Sequence, residues 1–239
     1  MEAAPLLAPL VEAPERSALV LDVDGTLAPI VARPELARVP AATRAQLERL
    51  ADRYALVACV SGRAGEDARR LVGVEAIVYV GNHGLELDPR AQELAAAIAR
   101  FRDRVGLPVE DKGLSLSYHY REARDEAAAR RRLEEVADRA EAEGLDARWG
   151  RKVLEVRPPV KADKGTAVRT LLERSGAERG LYAGDDTTDL DAFAGLAAAG
   201  LEHAVRVAVA SEEGPAALRE AADLVVAGPE ELARLLELL

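Results

Sequence analysis

Two carboxylates stand one residue apart at the end of an apolar run. In "ALVLDVDGTLAPI", residues 18–30, Asp22 and Asp24 flank Val23 and are followed by Gly25 and Thr26. Side chains on extended backbone repeat every second residue, so the pair faces one side, where like charges repel. Three further polar clusters follow apolar runs or open helices: "SGR" at 61–63, "DKG" at 163–165 and "GDDTTD" at 184–189. Taken singly, each has an ordinary explanation: "DG" marks turns, Ser61 suits a helix cap, Lys164 a solvated first turn, and acids favour a helix N-terminus. Taken together they carry the residue types of a magnesium-dependent phosphoryl-transfer site. Mg2+ takes a few carboxylates and keeps water and phosphate oxygens as its other ligands. It would neutralise the Asp22–Asp24 pair, so that one carboxylate attacks phosphorus while the other reaches the departing oxygen. A calcium loop is excluded by spacing, since it needs Gly at its sixth position and Glu at its twelfth. Counting from Asp22 gives Leu27 and Arg33, and counting from Asp185 gives Leu190 and Leu196.

Such clusters need a scaffold that brings loops to one edge, and the rest of the chain predicts one. Short apolar runs, "ALVLDV", "YALVACV" and "EAIVYVG", alternate with helical patterns, which is how a parallel sheet flanked by helices reads. The alternation resumes late, with strands at "GLYAGDD", "VRVAVA" and "DLVVAG" and helices between and after them. In an open α/β sheet ligands bind beyond the carboxyl ends of the strands, where the polar clusters fall. Residues 85–158 differ in texture: a helix at about 90–105, paired strands "LPVEDKG" and "LSLSYHY", a long charged helix, then "LDARWG" and "RKVLEVRP". Breakers border this lobe, "GNHG" before it and "RPPVKADKG" after it, so it reads as an inserted cap on hinges. The predicted domains are a core of 1–84 and 159–239 and an α+β cap of 85–158.

With 239 residues, 49% of them hydrophobic, the chain can bury a large core. A net charge of −10 argues against a nucleic-acid or anionic-membrane partner, because both need clustered Lys and Arg. The single cysteine, Cys59, lies in an apolar run and reads as a small buried hydrophobe. The N-terminal "MEAAPLLAPLVEAPERS" lacks a basic start, carries acids and is cut by prolines, which makes a poor signal peptide. No run reaches the ~18 apolar residues of a membrane span. Cytoplasmic residence is the default expectation.

In this order, with a lobe between the second and third, "LDVDGT", "SGR", "DKG" and "GDDTTD" resemble the four motifs of the haloacid dehalogenase superfamily of phosphatases. The resemblance implies a Rossmann-like parallel-sheet core with an inserted α+β cap domain. It implies Asp22 as the nucleophile that forms an aspartyl-phosphate, and Asp24 as the acid for the leaving group and then the base for water. Ser61 and the amide of Gly62 would hold phosphoryl oxygens, and Lys164 would offset charge between nucleophile and phosphate. Asp22, Asp185 and the backbone carbonyl of Asp24 would bind Mg2+. Asp186 and Asp189 would support them, with Asp186 an alternative direct ligand.

The phrases "GNHGLEL", "LSLSYHYRE", "GRKVLEVRPPVKADKG" and "YAGDDTTDLDAF" resemble the trehalose-6-phosphate phosphatases, which release phosphate from that sugar ester. The resemblance implies a small-molecule sugar phosphate as the substrate, trehalose 6-phosphate, and a stand-alone, monomeric phosphatase. It points to Glu110, Lys112, Arg121 and Glu155 as cap residues that contact the sugar, with Arg151 as a further candidate. Each of these, taken alone, is more often a solvated surface charge. His83 is expected to hydrogen-bond core to cap, His119 to pack in the cap, and Trp149 either to pack there or to line the sugar pocket. The rivals are relatives acting on sucrose phosphate or on mannosyl- or glucosyl-phosphoglycerate, a phosphohexomutase, and a non-catalytic sugar-phosphate sensor.

Overall fold

The structure, a computed structural model, describes residues 3–31, 36–150, 152–211 and 214–239. The chain divides into two compact units, Met1–Leu87 with Ala162–Leu239, and Asp88–Lys161, each boundary three residues beyond the sequence expectation. The first unit begins with an element that its prolines disguise, the helix α1 (Ala3–Glu12). Pro5 falls where helix N–H groups have no partner, but Pro9 sits inside and forfeits a bond. Docking offsets this: Leu7 and Leu10 are buried, Arg179 donates to the Pro9 carbonyl (2.5 Å), and a His203 ring nitrogen bonds the Leu6 carbonyl (2.8 Å). There follow β1 (Ser17–Leu21), α2 (Ala41–Ala51), β2 (Leu56–Val60), α3 (Gly65–Val72) and β3 (Val78–Val80). Helix α3 ends at Gly73, whose φ of 70° supplies the left-handed cap.

The second unit holds α4 (Pro89–Glu93), α5 (Ala95–Val105), β4 (Glu110–Asp111), β5 (Leu116–His119), α6 (Glu126–Ala142), β6 (Asp146–Gly150) and β7 (Val153–Arg157). The single helix expected near 90–105 is two, because Leu94 takes a ψ of −2° and interrupts the ladder. The strands form an antiparallel sheet in the order β4-β5-β7-β6. One face carries Leu116, Tyr118, Leu154 and Val156 against Ile98 and Phe101 of α5 and Leu133 and Val136 of α6. The period-two alternation leaves the other face polar.

The chain then returns to the first unit with α7 (Lys164–Ser175), β8 (Arg179–Gly184), α8 (Asp189–Ala197), β9 (His203–Val209), α9 (Ala216–Ala221), β10 (Leu224–Val226) and α10 (Pro229–Leu236). Six parallel strands run in the order β10-β9-β8-β1-β2-β3. The whole of β1 is buried, and its side chains alternate between two cores. Leu19 and Leu21 join Leu7, Leu47 and Leu236 on one face, while Ala18 and Val20 join Val168, Tyr182 and Phe193 on the other. This explains why the strand reads as a continuous apolar run rather than an alternating one. From β1 the chain steps outward to β2 and β3, and from β8 outward the other way, so the loops after β1 and β8 diverge at a topological switch point. No helix among the described residues is long and apolar enough to cross a membrane.

Candidate active site

Asp22 follows the last residue of β1, its N–H bonded to the Ala183 carbonyl of β8 (2.9 Å), and it is buried. The chain reverses at Gly25, where φ is +87° and the N–H reaches the Ala28 carbonyl (2.7 Å). A side chain has no room there, since a Cβ would lie 2.1 Å from Asp185 Oδ2. Gly25→Ala is therefore expected to cost about 1–3 kcal/mol from backbone strain alone and to displace Asp185. A denaturant titration and a phosphate-release assay on the same sample measure both effects, and a variant matching the parent in each would show that the turn tolerates a Cβ.

Lys164 opens α7, which Asp163 caps reciprocally with Thr166: the Asp163 carboxylate accepts from Thr166 N (2.7 Å) and Thr166 Oγ1 accepts from Asp163 N (2.9 Å). Helices α7 and α8 touch backbone to backbone, for a Cβ on Gly165 would lie 2.2 Å from the Asp191 carbonyl and one on Gly195 2.2 Å from the Gly165 carbonyl. The close approach delivers the Lys164 ammonium between two carboxylates, 2.7 Å from Asp22 Oδ1 and 2.6 Å from Asp189 Oδ1. Asp189 is fully buried and well satisfied. Its Oδ1 also accepts from the Tyr182 hydroxyl (2.7 Å), and its Oδ2 accepts from the backbone N–H groups of Asp185 (2.9 Å) and Asp186 (2.8 Å). Asp185, buried at the end of β8, accepts a hydrogen bond from Thr26 Oγ1 (3.3 Å).

Carboxylate oxygens of Asp22, Asp185 and Asp189 lie within 4.8 Å of one another, so three buried acids face one lysine. Burial chiefly pushes Asp22 up to about 7 from its ordinary 3.8, Lys164 opposing the rise and the Asp189 charge adding to it. Burial likewise raises Asp185 to about 8, with the charges of Asp22 and Asp189 adding and Lys164 opposing. Burial works against the Lys164 charge, but the two carboxylates it touches more than offset this and leave its pKa above the usual value. Hard, buried carboxylate oxygens in excess over their cation are a donor set that fits a divalent cation. The converging third acid is Asp189 rather than Asp186, which is exposed and whose carboxylate accepts from the N–H of its neighbour Thr187 (2.6 Å).

Asp24, two residues from Asp22, does not join this cluster through its carboxylate. Arg63 Nε and Nη2 grip its two oxygens, each bond 2.6 Å. Ser61 and Gly62 follow β2, the strand beside β1, and the Ser61 hydroxyl accepts from the Arg63 N–H (3.1 Å). The His83 N–H donates to the Ser61 carbonyl (2.9 Å), and its ring abuts Gly62. The sequence pattern does not single out Arg63, Tyr182 or the central place of Asp189. Arg63 stands inside the quoted "SGR", where its position between the Ser61–Gly62 turn and a helix is the one available signal.

In the second unit, strand register gathers most of the cap candidates. Glu110 pairs with Ser117, Ser117 with Glu155, and Glu155 with Arg148, so the four share one cross-sheet row on the polar face. Glu110 bonds a His119 ring nitrogen (2.8 Å), and Lys112 lies 3.9 Å from the same carboxylate. His119 is thus an exposed member of that face rather than a packed residue. Arg121 is exposed in the turn beyond β5, off the sheet, and Arg151 lies outside the described residues. Trp149 pairs with Leu154 on the opposite, helix-covered face, with the Arg130 guanidinium 4.6 Å from its ring centroid and Tyr120 edge-on. The register thus puts it on the helix side of the sheet, where it is still 37% exposed.

A parallel sheet with an acid cluster at its carboxyl edge and a separate α+β unit defines a class. A haloacid dehalogenase-like hydrolase from Bacteroides thetaiotaomicron has the same fold, with a TM-score of 0.58 at 16% identity over 92% of this chain and 98% of that one. Within that class, a family model described as Trehalose-phosphatase matches residues 20–103 and 99–226, and the chain belongs to that family. A trehalose-phosphate phosphatase from Mycolicibacterium paratuberculosis is 40% identical over 202 residues, covering 74% of this chain and 50% of the relative. A solved structure titled trehalose-6-phosphate phosphatase related protein superposes with a TM-score of 0.73 at 25% identity, covering 92% of this chain and 95% of that one. The chain spans about half the length of the mycobacterial phosphatases it matches, 50% and 54% of two of them.

Proposed function

We propose that the chain is a Mg2+-dependent phosphatase that hydrolyses trehalose 6-phosphate to trehalose and phosphate, the last step of trehalose biosynthesis. The observation that carries this is the buried Asp22–Lys164–Asp189 chain beside Asp185, at the carboxyl edge of the sheet, in a member of the trehalose-phosphatase family. Relatives bearing the name trehalose-phosphate phosphatase, from mycobacteria and from rice, support the choice of ester.

In the first half-reaction an Asp22 carboxylate oxygen attacks phosphorus and the bond from phosphorus to the sugar oxygen breaks. Asp24 gives that oxygen its proton, so trehalose leaves neutral. In the second, Asp24 takes a proton from water, the hydroxide attacks the aspartyl-phosphate, and Asp22 is regenerated. Lys164 steadies the attacking carboxylate and offsets the charge gathering on the phosphoryl oxygens. Ser61 and the Gly62 amide hold those oxygens in place. Asp22, Asp185 and the Asp24 carbonyl would hold Mg2+, with Asp189 supporting them. When bound, the ion supplies charge neutralisation between carboxylate and phosphate. Glu110, Lys112 and Glu155 offer acceptors and donors for sugar hydroxyls from one face, with Arg121 beyond the strand end. The enzyme acts as a cytoplasmic monomer in this proposal.

A panel of phosphate esters with and without Mg2+ is the test. Trehalose 6-phosphate is expected to release phosphate with a kcat/KM well above that of glucose 6-phosphate, sucrose phosphate or glucosyl-phosphoglycerate. Equal rates on trehalose 6-phosphate and glucose 6-phosphate would overturn the substrate. Tight Mg2+-dependent binding with no release would make the protein a sensor.

A further inference from the structure

We propose that Glu86 is a positioning residue for the phosphoryl transfer, fixing the Ser61–Arg63 loop so that it meets both the phosphate and Asp24. This deepens the function proposed above and rests on it. Glu86 lies in "GNHGLEL", a stretch to which the chemistry of the four motifs gives no task. One of its carboxylate oxygens accepts from the Gly65 N–H at the start of α3 (2.7 Å) and the other from the Gly81 N–H at the end of β3 (2.8 Å). The first oxygen also accepts from the Asn82 side-chain amide (3.2 Å). A single carboxylate thereby ties the start of α3, where the Ser61–Arg63 loop ends, to the end of the neighbouring strand β3.

The backbone between Gly81 and Glu86 is forced into conformations that residues with side chains seldom adopt: φ is +52° at Asn82, +52° at His83 and +98° at Gly84. That shape aims two successive N–H groups back at the loop, Asn82 N to the Arg63 carbonyl (2.7 Å) and His83 N to the Ser61 carbonyl (2.9 Å). Strain of this kind persists only where surroundings over-determine it, and it gathers at functional sites. Space is spent on the same contact. A Cβ on Gly65 would lie 2.3 Å from a Glu86 oxygen, one on Gly81 2.1 Å from the Gly65 nitrogen, and one on Gly62 2.7 Å from the His83 ring. The far side of the loop carries the Arg63 guanidinium, which holds both oxygens of Asp24. Glu86 therefore acts at a distance on two groups at once, the phosphate cradle of Ser61 and Gly62 and the placement of the Asp24 side chain, whose protonated carboxyl is the acid for the leaving oxygen.

A glutamine at this position keeps the size but has one acceptor oxygen for two N–H donors, so its amide hydrogens must confront one of them. Purified E86Q and the parent protein are compared on trehalose 6-phosphate and p-nitrophenyl phosphate, with inorganic phosphate as competitive inhibitor. The inhibition constant of phosphate is expected to rise roughly 10- to 100-fold, the size of effect that a misplacement near 1 Å produces. The kcat is expected to fall about tenfold further on the sugar ester than on the aryl ester, because only the poor leaving group needs a well-placed Asp24. A merely structural Glu86 would lower the melting temperature and the active fraction while leaving the phosphate constant and the ratio of the two kcat values unchanged, and that result overturns the proposal. Where E86Q folds poorly, N82G removes one donor and relieves the positive φ, and it must show the same pattern at smaller amplitude. If the parent protein hydrolyses neither ester, it is the proposed function that fails.

Discussion

Asp22→Asn is expected to abolish phosphate release, by a factor on the order of 10^4 or more, as loss of a nucleophile does in enzymes that form covalent intermediates. The substitution changes the volume hardly at all and leaves β1 and its buried neighbours in place. It removes the oxygen that would attack phosphorus and sets an amide next to the Lys164 ammonium. Stability should move differently. Burial raises the Asp22 carboxyl, which means that its charged form is the costly one at this position. A neutral amide takes one charge from a cluster of three acids, and Lys164 keeps Asp189 as a partner at 2.6 Å. Melting in the absence of metal near pH 8 should therefore be unchanged or higher. Activity lost without stability lost identifies a residue that is there for chemistry. Retained turnover within tenfold of the parent would remove Asp22 as the nucleophile.

The residues that announced themselves in sequence did so because each polar cluster closes an apolar strand or opens a helix, a pattern that local reading detects. What local reading misses is pairing across the chain. Arg63 matters because it meets Asp24, and Glu86 because it meets Gly65 and Gly81, contacts fixed by the order of β1, β2 and β3 rather than by any neighbour in sequence. Asp189 looked like one more acid in "GDDTTD". Its central position follows from α8 lying against α7, which the glycines at 165 and 195 permit. Helix α1 was hidden for the opposite reason, since Pro5 and Pro9 are strong local breakers and tertiary docking of Leu7 and Leu10 overrides them. The face on which Trp149 stands is set by its pairing with Leu154, which no neighbour in sequence reveals. Glu110 and Glu155 could not be known to share a face until both were registered against Ser117.

The excess of acid also sets how the protein should respond to a divalent cation and to pH. Asp22 and Asp185 ionise near 3.8 in an unfolded chain but near 7 and 8 when buried beside Asp189. Across that window the folded state binds more protons than the unfolded state, so stability falls as pH rises. The favourable contribution is complete below about 4 and is lost through 7 to 8. A cation bound by the same oxygens competes with those protons and supplies the missing positive charge. Its stabilising effect should therefore grow with pH over the interval in which the metal-free protein weakens. With chelator present, the melting temperature is expected to decline from pH 5.5 to 8.5 and phosphate release to vanish. With Mg2+ at about 100 times its dissociation constant, the gain is about 2.7 kcal/mol, which for a chain of this length is roughly 5–10 °C near pH 8. At pH 5.5 the same concentration should do much less. Replacing Asp185 by Asn should remove the Asp185 share of the pH limb, leaving that of Asp22, and weaken the response to Mg2+ at the same time, because the Asp185 oxygens contribute to both. A cation effect larger at pH 5.5 than at pH 8, or a pH limb undiminished by the substitution, would separate the metal from this cluster.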